Sequence, residues 1–382
     1  MYNKSLDTAS IDNMKKALAE VEVNESDRAK HYKSATPPED MKNNRKGKGA
    51  QDMMQPADNA IAIEEFREDG FSNALTRKEL ESKALKMAGW MKSKGVKKGD
   101  RVCAYMPNCS ETVITMLATS ALGAIFSSCS SDFGVEGVID RFEQIEPKIM
   151  IAANGYLYNG KVIDRSEEIN TISKRLPSLE HIIVVEYISS TVGINNLPNF
   201  NTVFQSDILE NYVLCEFNDP LYIVFSSGTT GKPKCITHSI GGVLIQHAKE
   251  HLLHINLSAQ QKMFYFTTCG WMMWNWLVGS LFCKSSIILY EGSPFYPNPE
   301  HLWKIAEKSE VGIFGTSAKY IDALSKSNIV PKKHFALSNL RTICSTGSPL
   351  SPDSYDYILN NIKPDVQIAS ISGGTDLLSC FV

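Results

Sequence analysis

Residues 221–235 read Leu-Tyr-Ile-Val-Phe-Ser-Ser-Gly-Thr-Thr-Gly-Lys-Pro-Lys-Cys. A short apolar run (Leu221 to Phe225) predicts a strand. It feeds a loop of glycines and hydroxyl residues carrying two lysines. Such a loop suits phosphate oxygens: glycine lets backbone N–H groups approach, hydroxyls add donors, and lysine brings charge. The P-loop of kinases and ATPases requires Gly-x-x-x-x-Gly-Lys-[Ser/Thr]. Here Ser226 stands at the first glycine position and Pro233 follows Gly231-Lys232. Proline offers neither a hydroxyl for magnesium nor a backbone N–H. The loop therefore predicts nucleotide triphosphate binding of another kind.

The surroundings are those of an α/β enzyme. The chain has 382 residues, 43% hydrophobic and 21% charged, with a net charge of -3. That length supports two or three domains, and that balance calls for neither nucleic acid nor an anionic membrane. The 9 cysteines form no Cys-x-x-Cys pair, and Cys103, Cys283 and Cys344 sit in apolar runs. This usage fits a reducing cytoplasm. The uncharged stretch Met263 to Cys283 is long enough to span a bilayer. Its Thr267, Thr268, Gly270, Asn275 and Ser280 instead predict a buried strand, a turn at Gly270 and a buried helix.

Residues 1–55 are rich in lysine and asparagine and predict a disordered or irregular segment. Order is expected from about Ala60. Thr76-Arg77-Lys78-Glu79 is a capping box, followed at helical spacing by Leu80, Ala84, Met87 and Met91. Strands are expected at 102–106, 124–127 and 149–153, with helices after Ser110 and over Val135 to Ile145. This alternation reads as right-handed βαβ units around a mostly parallel sheet flanked by helices. A second block has strands near Leu221, Phe264, Ile287, 311–315, 341–345 and 367–370, with helices over 239–254 and 299–308. The expected division is a first α/β subdomain over 56–215 and a second over 216–382. Three segments rich in glycine and hydroxyl residues (226–231, 345–348, 372–376) follow predicted strands. In parallel sheets ligands sit at strand carboxyl ends, so the three are expected to share one crevice.

Those three segments carry a resemblance. Ser227-Gly228-Thr229-Thr230-Gly231-Lys232-Pro233-Lys234 is similar to the phosphate loop of the adenylate-forming ligases, the acyl-CoA synthetases and their relatives. Ser345-Thr346-Gly347-Ser348-Pro349 resembles that family's adenine-contacting turn. Ser372-Gly373-Gly374-Thr375-Asp376 resembles its Tyr-Gly-x-Thr-Glu motif. Gly270-Trp271-Met272-Met273-Trp274-Asn275, the stretches 244–247 and 250–254, and 127–159 with Asp140-Arg141-Phe142 look like the branch that joins acetoacetate to CoA. The likeness runs from about residue 60 to the end.

The resemblance implies the large N-terminal domain of such ligases and a two-step reaction. A carboxylate attacks the α-phosphorus of ATP, and the CoA thiol then displaces AMP. Such catalysis is positioning and charge neutralisation, without a protein nucleophile. By the same resemblance, Ser226, Ser227, Gly228, Thr229, Thr230, Gly231 and Lys232 hold the phosphates with Lys234. Gly347, Ser348 and Pro349 line the adenine, Ser372, Gly373 and Gly374 lead to the α-phosphate contact Thr375, and Asp376 holds Mg²⁺. Trp271, Met272 and Met273 are acyl-pocket candidates, and Asn159 and Lys161 lie where relatives approach the CoA phosphates. Ser372 replaces the aromatic residue that many relatives carry. The family continues beyond its Thr-Glu motif with a lysine-bearing C-terminal domain, so the chain is expected to be truncated and its activity impaired. An inactive nucleotide-binding or oligomer-forming module, or a ligase for acetate or propionate, are the alternatives. His247, His251 and His254 share one helical face, a metal-like spacing. With no acid or cysteine partner assignable they are expected to be core or partly exposed residues.

Overall fold

The computed structural model describes residues 58–189, 197–226 and 231–381. The tail read as irregular, and Ser227, Gly228, Thr229 and Thr230 of the phosphate loop, lie outside the described residues. The chain opens with a hairpin, β1 (Ile61–Arg67) and β2 (Ser72–Thr76), turned at Gly70 with φ +89°. Helix α1 (Arg77–Ser93) follows, and its capping box forms as read: the Thr76 hydroxyl accepts from the Glu79 N–H, and the Glu79 carboxylate accepts from the Thr76 N–H. Then come β3 (Arg101–Met106), α2 (Ser110–Ala121), β4 (Ile125–Ser130), α3 (Val135–Ile145) and β5 (Ile149–Ala153). A small hairpin, β6 (Gly155–Tyr158) and β7 (Lys161–Asp164), precedes α4 (Ser166–Arg175) and β8 (His181–Val185).

The second half begins with β9 (Pro220–Ser226), β10 (Lys234–Ser239) and α5 (Ile240–Lys249), the last continued by a wider π turn over Glu250–His254. Next are β11 (Lys262–Tyr265), α6 (Met272–Gly279), β12 (Ser286–Glu291) and α7 (His301–Lys308). After these come β13 (Ile313–Ser317), α8 (Ala318–Lys326), β14 (Thr342–Thr346), α9 (Pro352–Tyr357) and β15 (Gln367–Ser370). A last hairpin pairs β16 (Gly373–Gly374) with β17 (Ser379–Cys380).

Two mostly parallel sheets result, in the orders β10-β9-β4-β3-β5-β8 and β15-β14-β13-β11-β12-β1-β2. Each has one antiparallel edge, β10 on β9 and β2 on β1. Each sheet draws strands from both sides of residue 215. The first takes β9 and β10 from the second half of the chain, and the second takes β1 and β2 from the first half. Residues 263–283 split into β11, a turn and α6 as read, and no helix among the described residues is long and apolar enough to cross a membrane.

Helices fill the space between the sheets. The inner core joins Leu80, Met87 and Met91 of α1, Val113 and Leu117 of α2, and Trp274 and Leu277 of α6 to both sheets. Helix α2 is buried on nearly every side, as its sequence demands: Glu111 is its sole charge. The outer face of the six-stranded sheet is closed by Val138 and Phe142 of α3 and Ile169 and Ile172 of α4. The outer face of the seven-stranded sheet is closed by Trp303 of α7 and Ile321 and Leu324 of α8, with Trp303 stacked on Phe314. This packing brings the carboxyl ends of β9, β14 and β15 around one opening.

Candidate active site

That opening is a cavity of about 360 Å³. Ser226 lines it at the end of β9, where the phosphate loop begins. Thr346 and Gly347 line it at the end of β14, and Ile371, Gly373, Gly374 and Thr375 after β15. The three segments far apart in sequence thus meet, as far as they are described. Local bonds hold them. The Ile371 N–H donates to the Ser345 carbonyl at 2.7 Å, and the Thr346 hydroxyl donates to the Ile371 carbonyl at 3.0 Å. His238, on the strand beyond the phosphate loop, donates from Nε2 to the Thr375 carbonyl at 2.8 Å. Burial holds the His238 ring below its ordinary pKa, which suits a neutral imidazole in this role.

The glycines are needed for two different reasons. Gly347 has φ +90° with open space where a side chain would stand, so a flat group can approach its backbone. A Cβ on Gly373 would fall 2.0 Å from the Ser379 carbonyl, so only glycine lets β17 pair there.

Trp271, Met272 and Met273 also line the cavity, grading from exposed through half-buried to buried. Trp271 is 56% exposed, a large aromatic surface left at the mouth. The remaining expected residues lie elsewhere. Lys232 and Lys234 are exposed beside the loop, and Lys232 pairs with Glu143 at 3.1 Å. Gly231, Ser348, Pro349, Ser372 and Asp376 are exposed and border the lining segments rather than line the cavity. Asn159 and Lys161 stand on the β6–β7 turn, which also does not line it. The Asn159 and Gly160 N–H groups donate to the Glu68 carboxylate at 3.0 and 2.8 Å, which pins the turn to β1.

Two charged side chains to which the sequence assigned no role line the cavity, Arg141 and Glu250. The Arg141 guanidinium lies over the Phe133 ring at 4.6 Å and donates to the Gly137 carbonyl. Glu250 is 1% exposed. Its Oε2 accepts from Trp276 Nε1 at 2.7 Å, and its Oε1 accepts from the Cys380 N–H at 3.0 Å and from the Ser379 hydroxyl.

The histidine face needs one correction. His247 and His251 are buried as expected, and burial lowers both, His247 to about 4. His254, however, does meet an acid and a thiol: its ring, the Glu250 carboxylate and Cys380 Sγ lie within 4.8 Å of one another. The π turn and the β16–β17 hairpin bring them together, and neither shows in the spacing.

The fold is an α/β fold with its opening at the carboxyl ends of parallel strands from both sheets. Residues 51–376 match the family described as AMP-binding enzyme, and the chain belongs to that family. Among similar proteins, it is 45% identical to the acetoacetyl-coenzyme A synthetase of Rhizobium meliloti (strain 1021) over 340 residues, 87% of this chain and 52% of that protein. It is also 45% identical over 320 residues to the acetoacetyl-CoA synthetase of Gallus gallus, covering 81% of this chain and 48% of that one. The solved acetoacetyl-CoA synthetase from Streptomyces lividans superposes with a TM-score of 0.84 at 36% identity, over 88% of this chain and 53% of that one. The chain spans about half the length of the relatives it matches.

Proposed function

We propose that the chain binds ATP and a short carboxylic acid in this cavity, and that it serves an acid–CoA ligase reaction with acetoacetate as the acid. The observation that carries this is the meeting of Ser226, Gly347 and Thr375 around one cavity of about 360 Å³. The names of the relatives, acetoacetyl-CoA synthetases, supply the acid and the thiol. The two runs 56–215 and 216–382 then act as one AMP-binding unit, since each sheet draws strands from both.

The division of labour follows from the chemistry. The first step puts negative charge on phosphorus, so donors fixed in advance lower its barrier. The segment from Ser226 to Gly231, with Lys232 and Lys234, holds the β- and γ-phosphates. Thr375, steadied through its carbonyl by His238, faces the α-phosphate. The open side of Gly347, with Ser348 and Pro349, receives the adenine, and Ser372 to Gly374 complete the rim. Trp271, Met272 and Met273 wall the acid. The exposed Asp376 carboxylate is a hard oxygen donor that fits Mg²⁺, which would neutralise phosphate charge when bound. Lys161, exposed on its pinned hairpin, supplies a cation for CoA phosphate. All nine cysteines are free thiols, and we place the chain in the cytoplasm.

The test is ATP binding by this chain, read as a shift in melting temperature with added Mg²⁺-ATP. Lys234→Ala is expected to weaken binding at least about tenfold, in line with loss of a charge-assisted phosphate contact. No shift in the parent protein, together with no change in the variant, overturns the proposal.

A further inference from the structure

The wall around Trp271, Met272, Met273 and Trp276 is apolar, as a pocket for a short alkyl chain requires. One part of the lining breaks that rule. Glu250, Ser379 and Cys380 line the same cavity as these side chains, and the Glu250 carboxylate and the Ser379 hydroxyl are almost wholly buried. The carboxylate is surrounded by donors from three elements. Trp276 comes from α6, the Cys380 N–H and Ser379 hydroxyl come from the last hairpin, and Gln246 Nε2 lies at 3.4 Å from α5. Gln246 also donates to the Ser379 oxygen. Glu250 begins the π turn that continues α5, a local widening that redirects side chains and recurs at functional sites.

Counting protons shows what this group can do. Glu250 is held by three N–H donors apart from Ser379. If Ser379 turns its hydroxyl proton toward the cavity, the carboxylate keeps those three, and the Ser379 oxygen still accepts from Gln246. The hydroxyl is thus a donor that a ligand oxygen can take over from the carboxylate. It has a fixed position, because its oxygen stays anchored from behind. An alkyl chain packed against it would leave the hydroxyl on Glu250 and gain no hydrogen bond there, whereas a ligand oxygen would gain one.

We propose that Ser379 is a specificity-determining residue of the acid site and that Glu250 is the residue that positions it. The ligand class is a short acid bearing an oxygen near the end distal to its carboxylate, in preference to the plain alkyl acid of equal length. The inference rests on the acid site proposed above and names what reads the acid there.

The test compares acetoacetate with butanoate, which has the same chain length and no oxo group. Both are titrated into this chain by calorimetry, with and without AMP. The parent protein is expected to prefer acetoacetate by about tenfold, since only the oxo acid gains a hydrogen bond there. Ser379→Ala is expected to bring the ratio close to one, chiefly by weakening acetoacetate. Glu250→Gln is expected to lower the ratio as well, because an amide there must turn an N–H toward one of the donors. A change in the ratio is a readout that general loosening of the fold does not produce, and circular dichroism melting checks that each variant folds. Equal binding of the two acids by the parent, or an unchanged ratio in Ser379→Ala, overturns the inference. If ATP binds but the acids are not distinguished, the nucleotide reading stands and this one falls. If ATP fails to bind while the ratio behaves as stated in the titration without nucleotide, the reverse holds.

Discussion

Four glutamates are buried among the described residues, and two of them, Glu250 and Glu291, have opposite surroundings. Glu250 lies where α5, α6 and the last hairpin meet, and N–H and O–H donors converge on both its oxygens. Glu291 lies at the end of β12, where one backbone donor is in reach, the Asn108 N–H at 2.8 Å. The carboxyls of Asp132, Glu65 and Glu68 are its other electrostatic neighbours. Burial first, and those acids after it, push Glu291 up to about 8. Glu65 is pushed up to about 7, again by burial and then by Glu111. The difference teaches that depth alone does not give a buried acid its role. Converging donors make Glu250 a clamp between elements. Scarce donors and like neighbours make Glu291 a neutral, hydrogen-bonded acid at pH 7.

The comparison breaks most visibly if the clamp is removed. Glu250→Ala leaves the Trp276, Cys380 and Ser379 donors buried without their acceptor, and is expected to cost about 4 kcal/mol of stability. Urea unfolding measures this, and a loss under about 1 kcal/mol would deny that Glu250 ties the elements together.

The Glu291 side is sharpened by pH. Its folded pKa lies above the unfolded value, so the fold keeps a proton that the unfolded chain releases. The stabilisation is complete below about 4.5 and is lost as pH rises through about 8, with Glu65 adding to the slope. Glu291→Gln is expected to flatten the decline between pH 6 and 9 by about 2 kcal/mol. Melting curves across that range would contradict the assignment if parent and variant fell in parallel.

The smallest expected effect concerns a carboxylate between the two extremes. Glu68 accepts from three backbone N–H groups, those of Asn159, Gly160 and Ser293. Glu68→Ala is expected to cost about 1.5 kcal/mol. Hydrogen exchange should quicken at those three amides and hardly change in α2.

Much of this was readable from residues alone. The capping box at Thr76, the strands at 102–106 and 149–153, and the three glycine and hydroxyl segments at strand ends all carry local signals, and these segments meet as expected. What escaped is what local pattern does not encode. Lys234 to Ser239 reads as polar loop, yet pairs as an edge strand on β9 because only one side needs a partner. Ile61 to Arg67 contains two glutamates and so lacks a clean strand alternation, although Ala62, Ile63 and Glu65 are all buried. Glu250, by contrast, was assigned no role, although its helical spacing from Val243 and His247 already sets it on the buried face of α5.

The exchange of strands between the two sheets also bears on how the chain is made. Ile63 pairs with Ile287, so β1 emerges from a ribosome long before its parallel partner exists. At ordinary synthesis speeds the wait is on the order of tens of seconds. Throughout it, the first hairpin exposes an unmatched sheet edge, and the seven-stranded sheet closes only after β15 has been made.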